Sequence, residues 1–318
     1  MWSDEEKGDS MSLKPTVRLE NVTKIIRKKT IIDNISFEIY PGEVFGFLGP
    51  NGAGKTTTIR MLVGLIKPTS GKVEICGFDV KKQFVQAMQR LGSIVENPEL
   101  YKYLSGRENL KIFARMLSGV DEERMQEVID LVDLTERIDD QVRTYSLGMR
   151  QRLGIAQALL GRPDVLILDE PTNGLDPMGI KDLRIFIRKL VDDTGLSVLV
   201  SSHILSEIEL LADRVAIMSH GKIVQVGKVS DLIGSASSGV VWRVSDTVQV
   251  FEMFTTSPFV QAVEISDDHT LHTLMDESKT GVLNEDLIKA GIDVWTIERK
   301  VQTLEDLFIG LTGGDRIV

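Results

Sequence analysis

Cysteine and long apolar runs are the two features that this chain of 318 residues most clearly lacks. Cys76 is its one cysteine, which excludes an intramolecular disulfide and a cysteine-rich metal site and is typical of a reducing compartment. No stretch approaches the roughly 18 consecutive apolar residues that a membrane helix needs. The first residues are acidic and contain no apolar run, unlike a signal peptide. We therefore expect no membrane span within this chain.

Basic residues are outnumbered as well. The chain has 37 Lys and Arg against 47 Asp and Glu, so its formal net charge is −10. An acidic chain does not favour binding to nucleic acid, which requires a basic face for the phosphates. Hydrophobic residues make up 42% and charged residues 26%, which is ordinary for globular proteins. The length exceeds what one compact core usually organises, so we expect more than one domain.

Hydrophobic patterning indicates an α/β fold. Residues 17–22 and 35–39 alternate apolar and polar side chains, which predicts half-exposed antiparallel strands. Residues 44–48 are almost uniformly apolar, as in a strand that is buried on both faces. Apolar residues at helical spacing predict a helical subdomain over about residues 87–160. Further strand patterns follow at residues 165–168, 197–200, 215–218 and 223–226.

The chain is predicted to contain three parts. Residues 1–14 are interpreted as a flexible acidic tail, and residues 15–234 as the main domain with its antiparallel β part and inserted helical subdomain. A small, polar segment over residues 234–239 predicts a linker. Residues 235–318 are then a small C-terminal α/β domain, in which Thr303 and Asp306 form a capping box for the last helix.

A glycine-rich segment between a predicted strand and a predicted helix carries the clearest functional signal. It reads Gly-Pro-Asn-Gly-Ala-Gly-Lys-Thr and matches the phosphate-loop pattern G-x-x-x-x-G-K-[ST]. Backbone N–H groups of such a loop surround phosphate, while Lys55 reaches the β- and γ-phosphates and the Thr56 hydroxyl binds Mg²⁺. A chance match is the alternative, which the flanking strand and helix disfavour. The residues assigned to nucleotide binding here are Gly49, Pro50, Asn51, Gly52, Ala53, Gly54, Lys55, Thr56 and Thr57.

Two carboxylates follow the next buried strand. Asp169 and Glu170 come directly after residues 165–168, at the strand end where α/β sheets bind ligands. Asp169 is interpreted as a magnesium residue, and Glu170 as the general base that polarises the attacking water. Such a pair is by itself more often a helix cap or a solvated pair. The phosphate loop favours the functional interpretation.

The segment Tyr-Ser-Leu-Gly-Met-Arg-Gln-Arg at residues 145–152 resembles the signature motif of ATP-binding cassette proteins. Gly174-Leu-Asp176 resembles the D-loop of that family, and His203 resembles its switch histidine. The resemblance covers about residues 17–229, with these elements in the order and spacing of the family. It implies an ATPase that uses ATP and Mg²⁺.

The resemblance also implies how two copies of the chain work together. Two cassettes dimerise head to tail, so that Ser146 and Gly148 of one copy contact the ATP held by the phosphate loop of the other. Asp176 couples the two sites, and His203 hydrogen-bonds the γ-phosphate. A cassette without membrane spans implies a separate transmembrane permease, which holds the subunit at the cytoplasmic face of the membrane.

The chain departs from the family pattern at three places. Leu147 and Met149 stand in the signature where a Gly and a Gln are usual. Ile26 aligns with the aromatic residue that stacks on adenine, and an aliphatic side chain covers a base only by dispersion. Glu96 stands where a Gln usually senses Mg²⁺ and the permease, a departure that resembles cassettes exporting bacitracin and lantibiotics. Its charge then lies near Mg²⁺ and the phosphates; a solvated loop acid is the alternative.

The expected function is therefore the ATPase subunit of an exporter of a peptide antibiotic, a drug or another toxic compound. The C-terminal region resembles the appended domain of drug, sodium and bacteriocin exporters, and is expected to regulate activity or aid dimerisation. The alternative is a non-transport cassette that acts on nucleic acid or the ribosome. Such proteins usually carry a long coiled coil or two cassettes, and the acidic charge of this chain disfavours them.

Overall fold

The computed structural model describes residues 14–96, 98–234, 239–300 and 303–312. Most of the predicted tail and residues 235–238 of the predicted linker lie outside these ranges. The chain divides into two compact units between Val226 and Gly227, upstream of the boundary predicted after residue 234. The reason is that helix Val229–Gly234 packs against the last helix, Leu304–Thr312. Among the described residues, no helix has the length and apolar character needed to cross a bilayer.

The first unit alternates strands and helices. In chain order its elements are β1 (Val17–Ile26), β2 (Lys29–Ile39), β3 (Val44–Leu48), α1 (Lys55–Leu62), β4 (Ser70–Ile75), β5 (Phe78–Asp79), α2 (Phe84–Met88), β6 (Leu91–Ile94), α3 (Gly106–Ala114), α4 (Glu122–Leu131), α5 (Leu147–Leu159), β7 (Val165–Asp169), α6 (Pro177–Thr194), β8 (Ser197–Ser202), α7 (Leu205–Glu209), β9 (Arg214–Ser219) and β10 (Lys222–Lys228).

Two sheets organise these elements. A four-stranded antiparallel sheet has the order β2-β1-β4-β5, and a six-stranded sheet has the order β10-β9-β3-β8-β7-β6. The strands from β9 to β6 run parallel, and every residue of β3 and β7 is buried. Burial on both faces explains why these two strands are uniformly apolar. The carboxyl ends of the parallel strands meet at one edge, where the site lies.

One strand contradicts the predicted extent of the helical subdomain. Residues 91–94, placed by the sequence analysis in the helical stretch from about residue 87, form the edge strand β6 and pair with β7. A strand of four residues is too short for its periodicity to compete with the helical pattern around it. Gly92 permits its close packing, because a Cβ there would lie 2.4 Å from the carbonyl oxygen of Ala158.

The second unit has a sheet of its own. Its elements are α8 (Val229–Gly234), β11 (Gly239–Val244), α9 (Thr247–Thr255), β12 (Val260–Asp267), β13 (Thr270–Met275), α10 (Thr280–Lys289), β14 (Val294–Lys300) and α11 (Leu304–Thr312). The antiparallel order β12-β13-β11-β14 and the βαββαβ connectivity make this unit ferredoxin-like. Trp242 is fully buried in its core and donates a hydrogen bond to Thr273 Oγ1 at 2.9 Å. The predicted capping box is present, with Thr303 and Asp306 each accepting from the backbone of the other.

Candidate ATPase site

The glycine-rich loop connects the end of β3 to the start of α1. Gly54 has φ +112°, and a Cβ there would lie 2.5 Å from Ile32 Cδ1. A Cβ at Gly49 would lie 2.4 Å from the carbonyl oxygen of Met218. Both positions therefore require glycine. Lys55 is the first residue of α1 and is 6% exposed, and its Nζ donates to the Gly49 carbonyl at 2.6 Å. The lysine ammonium thus lies directly beneath the loop.

The neighbouring strand β7 delivers Asp169 to the same edge of the sheet. Asp169 is 2% exposed, and its Oδ1 accepts a hydrogen bond from Ser201 Oγ at 2.6 Å. The Thr56 hydroxyl, next to Lys55 at the start of α1, lies close enough to this carboxylate to lower its pKa. Burial raises the pKa of Asp169, and the hydroxyl groups of Ser201 and Thr56 oppose that rise. The predicted metal residues Thr56 and Asp169 therefore lie at the same position of the site.

The Glu170 carboxylate contacts a lysine with one oxygen and a histidine with the other. Its Oε1 lies 3.3 Å from Lys55 Nζ, and its Oε2 lies 2.7 Å from His203 Nδ1. The backbone N–H of His203 donates to the same Oε2 at 3.3 Å. All three side chains are mostly buried: Lys55 is 6% exposed, Glu170 17% and His203 28%. The arrangement gives the predicted base fixed partners at both oxygens.

The signature segment and the loop before α6 line a separate cleft of about 590 Å³. Ser146 caps α5, its Oγ accepting from Met149 N at 3.2 Å, and Asp176 caps α6, its Oδ1 accepting from Gly179 N at 3.0 Å. Gly148 is half-buried, and a Cβ there would make only an ordinary van der Waals contact, 3.9 Å from Leu175 Cδ2. None of the residues that line this cleft belongs to the phosphate loop.

Comparison with known proteins identifies the family. The family model described as ABC transporter matches residues 32–173. The ABC transporter ATP-binding protein YhcH of Bacillus subtilis (strain 168) is 49% identical over 95% of this chain and 97% of its own. The bacitracin transport ATP-binding protein BcrA of Bacillus licheniformis is 40% identical over 95% of this chain and 98% of its own. The chain belongs to the ABC transporter ATP-binding proteins.

A solved structure supports the same assignment. The ATP-binding subunit of an ABC transporter superposes with a TM-score of 0.61 and is 27% identical, covering 69% of this chain and 92% of that one. The predicted α/β cassette fold is thus confirmed. The chain is an ATPase of this family, and ATP-binding subunits of ABC transporters work with membrane permeases. The alternative, a cassette acting on nucleic acid, finds no support in these relatives.

Mg²⁺ fits the residues of this ABC ATPase at one position. Thr56 supplies a hydroxyl and Asp169 a carboxylate, and hard oxygen atoms are the ligands that Mg²⁺ prefers. No cluster of three or more His, Cys, Asp or Glu able to hold a metal occurs among the described residues. Two protein oxygens are sufficient, because Mg²⁺ usually keeps several waters and takes its other ligands from the phosphates.

The two departures outside the signature lie on the surface of the cassette. Ile26 ends β1 and is 43% exposed. The Glu96 side chain is 64% exposed, as the solvated-acid alternative expects, but its Oε1 pairs with Arg60 Nη2 of α1 at 2.7 Å. No local sequence pattern predicts this partner. Glu96 follows strand β6 and has φ +68°. The strand paired with β6 is β7, and Glu170 follows β7.

Ser201 is a further residue of the site, and no sequence motif identifies it. This serine is fully buried, and besides donating to Asp169 it accepts from the Glu170 backbone N–H at 2.9 Å. The available signal was a pair of serines at the carboxyl end of an apolar strand, where hydroxyl groups need partners if they are buried. That signal could identify a polar strand end, but not which carboxylate the hydroxyl contacts.

Proposed function

We propose that this ABC ATPase binds Mg²⁺-ATP at the phosphate loop and hydrolyses it with Glu170 as the general base. The observation that carries the proposal is the pairing of Glu170 with His203 at 2.7 Å beside Lys55. A histidine at this distance orients the carboxylate toward one direction, as a base that aligns water requires. Mg²⁺, held by Thr56 and Asp169, would offset the negative charge on the β- and γ-phosphates.

Lys55 has a second role in the proposal. Its ammonium contacts both the Gly49 carbonyl and the Glu170 carboxylate. A γ-phosphate carries more negative charge than either partner, so ATP draws the ammonium toward itself. Glu170 then loses one contact, and its Oε1 becomes available to the attacking water. Binding of ATP and activation of the base are thereby coupled through one lysine.

A second copy of the chain completes each site in this proposal. The signature cleft exposes Gly148 and the start of α5 without contributing to the phosphate loop of its own cassette. A helix start attracts phosphate through its free N–H groups and its dipole. We infer that Ser146 and Gly148 face the γ-phosphate bound to the other copy, with Asp176 at the interface between the two copies. Closure on ATP and reopening after hydrolysis supply the motion.

The permease turns this motion into transport. We propose that the chain acts at the cytoplasmic face of the membrane and powers export of a peptide antibiotic or another toxic compound through a separate permease. The similarity to the bacitracin transport protein, which extends over both units, supports this direction and class of cargo. The ferredoxin-like unit then belongs to the exporter assembly, where we assign it a role in regulation or dimerisation.

Replacing Glu170 by Gln tests the hydrolytic mechanism. Glu170→Gln should keep binding of ATP, because the phosphate loop is untouched, and should trap an ATP-bound dimer that size-exclusion chromatography with light scattering detects. Steady-state phosphate release should fall by about 100-fold or more. Glu123→Gln, at an exposed position of α4, is the matched control. An unchanged rate in Glu170→Gln would overturn the assignment of the base.

A further inference from the structure

Ser201 holds both carboxylate residues of the site through a single hydroxyl group. It lies near the end of β8 and is fully buried. Its Oγ donates to Asp169 Oδ1 at 2.6 Å and accepts from the Glu170 backbone N–H at 2.9 Å. The side chain of Asp169 and the backbone of Glu170 are thus both hydrogen-bonded to Ser201 Oγ.

Strand register explains why this contact forms. β7 and β8 run parallel, and Asp169 is the register partner of Ser201. Side chains of register partners project from the same face of a sheet, so the hydroxyl meets the carboxylate without a long connecting chain. The side chain of serine is short enough to be enclosed there, and its hydroxyl can donate and accept at once.

Glu170, whose backbone N–H donates to Ser201, has an unusual backbone conformation. Glu170 has φ +49°, in the left-handed region that non-glycine residues occupy only when neighbouring contacts hold them there. Two residues beyond Ser201, His203 contacts the carboxylate of the same glutamate. The end of β8 therefore supports Glu170 at two points, the backbone through Ser201 and the carboxylate through His203.

We propose that Ser201 is a positioning residue for ATP hydrolysis. Its hydroxyl orients Asp169 toward the metal and fixes the backbone of Glu170 so that the base carboxylate points at the attacking water. Ser201 itself contacts neither nucleotide nor water in this scheme. The inference rests on the proposed function, in which Asp169 serves the metal and Glu170 is the base, and it adds the group that sets their geometry.

The neighbouring serine provides a matched control. Ser202 is 1% exposed, but its Oγ accepts from Ile204 N at 2.9 Å and so stabilises the local turn. It has no hydrogen bond to either carboxylate in the described part of the chain. Ser201→Ala and Ser202→Ala each remove one buried hydroxyl. They differ in what the lost hydroxyl contacted.

The test compares Ser201→Ala, Ser201→Cys and Ser202→Ala in the full chain. Cys fills the volume of Ser but is a weak hydrogen-bond donor, so both Ser201 variants should lower kcat by about 10- to 100-fold, the usual effect of a group that supports metal ligands. The KM for ATP should stay close to that of the parent chain. Ser202→Ala should keep the parent kcat. A Ser201→Cys variant with the parent kcat would overturn the proposal, because packing alone would then be sufficient.

A second measurement does not depend on turnover. The Mg²⁺ concentration that half-maximally raises the melting temperature in the presence of ADP should increase about 10-fold or more in both Ser201 variants and not in Ser202→Ala. Equal Mg²⁺ midpoints in all three variants would overturn the role of Ser201 toward Asp169. An active Glu170→Gln variant would instead overturn the base, and the Mg²⁺ midpoints would still decide the contribution of Ser201.

Discussion

His203 Nδ1 lies 2.7 Å from Glu170 Oε2, and the backbone N–H of His203 contacts the same oxygen at 3.3 Å. Two donors on one residue therefore fix one oxygen of the carboxylate, while Lys55 lies 3.3 Å from the other. If the imidazole is removed, Oε2 keeps the longer contact with the backbone N–H of residue 203, and Oε1 keeps the contact with Lys55. The geometry of the base thus depends on a residue 33 positions away along the chain.

His203→Ala should lower the rate of ATP hydrolysis by about 100-fold, because the Glu170 carboxylate then loses the imidazole contact that holds its orientation toward the attacking water. Binding of ATP should change little, since the phosphate loop is intact. Phosphate release and equilibrium binding of a fluorescent nucleotide measure the two quantities separately. Replacement of the exposed His269 in the second unit by Ala is the control. A His203→Ala variant that hydrolyses ATP at the parent rate would contradict this account.

Arg60→Gln and Glu96→Gln should shift the Mg²⁺ dependence of ATPase activity in opposite directions. The prediction rests on the interpretation that Glu96 faces the metal. Under it, removing the carboxylate takes negative charge from that region and raises the Mg²⁺ midpoint, whereas removing the guanidinium frees the carboxylate and lowers the midpoint. Melting temperatures should barely change, because exposed ion pairs contribute little to stability. Arg18→Gln, which removes another exposed partner of glutamates, controls for general charge effects. Unchanged midpoints in both variants would make Glu96 a solvated loop acid.

Arg214→Met should destabilise the cassette by about 3 kcal/mol. Arg214 Nη1 lies 2.9 Å from Glu43 Oε1 and its guanidinium covers the ring of Tyr40 at 5.2 Å. Glu43 is 9% exposed, and the substitution leaves its charge uncompensated. Denaturant unfolding at pH 7 measures the loss.

The pH dependence of the Arg214→Met variant follows from Glu43. Burial already raises the pKa of this carboxyl above its ordinary value, and loss of the guanidinium raises the pKa further. A raised carboxyl pKa disfavours the folded state above that pKa, so the deficit should shrink as the pH falls from 7 toward 5. Adding Glu43→Gln should recover part of the lost stability at pH 7. A deficit that stays constant with pH would contradict this explanation.

Cys76 should react slowly with iodoacetamide in the folded protein. Burial raises the pKa of its thiol to about 11, so about one thiol in a thousand is ionised at pH 8, and the thiolate is the reactive form. Intact-mass spectrometry should show alkylation that accelerates about tenfold per pH unit up to pH 10. The same reaction in 8 M urea (roughly the strength that exposes all side chains) provides the unfolded control. Equal alkylation rates in the folded protein and in urea would show that burial does not protect the Cys76 thiol.

Local signals were sufficient for much of this protein. The phosphate loop is a contiguous pattern, and the predicted strand over residues 44–48 coincides with β3. The helix predicted after the loop is α1, which begins at Lys55. Glycine at fixed spacing and a fully apolar strand reflect requirements of neighbouring residues, so they are readable without knowledge of the fold.

Contacts between distant strands were not readable in this way. Ser201 lies 31 residues from Glu170, and their hydrogen bond exists because β7 and β8 pair in one particular register. The same holds for Arg60 and Glu96, 36 residues apart, and for β6, whose four residues form a strand through pairing with β7. Strand register depends on the packing of the whole sheet, which no local pattern specifies.

The amino-acid sequence by itself determined the cassette fold, the phosphate loop and the identity of the two carboxylates, because each follows from short segments whose chemistry is local. The tertiary structure alone decided that one buried hydroxyl holds both carboxylates, that Arg60 pairs with Glu96, and that the second unit begins before the predicted linker. These features depend on which residues β-sheet pairing and helix packing bring together. Hydrogen bonds and ion pairs form only between groups that are already within a few ångströms of each other.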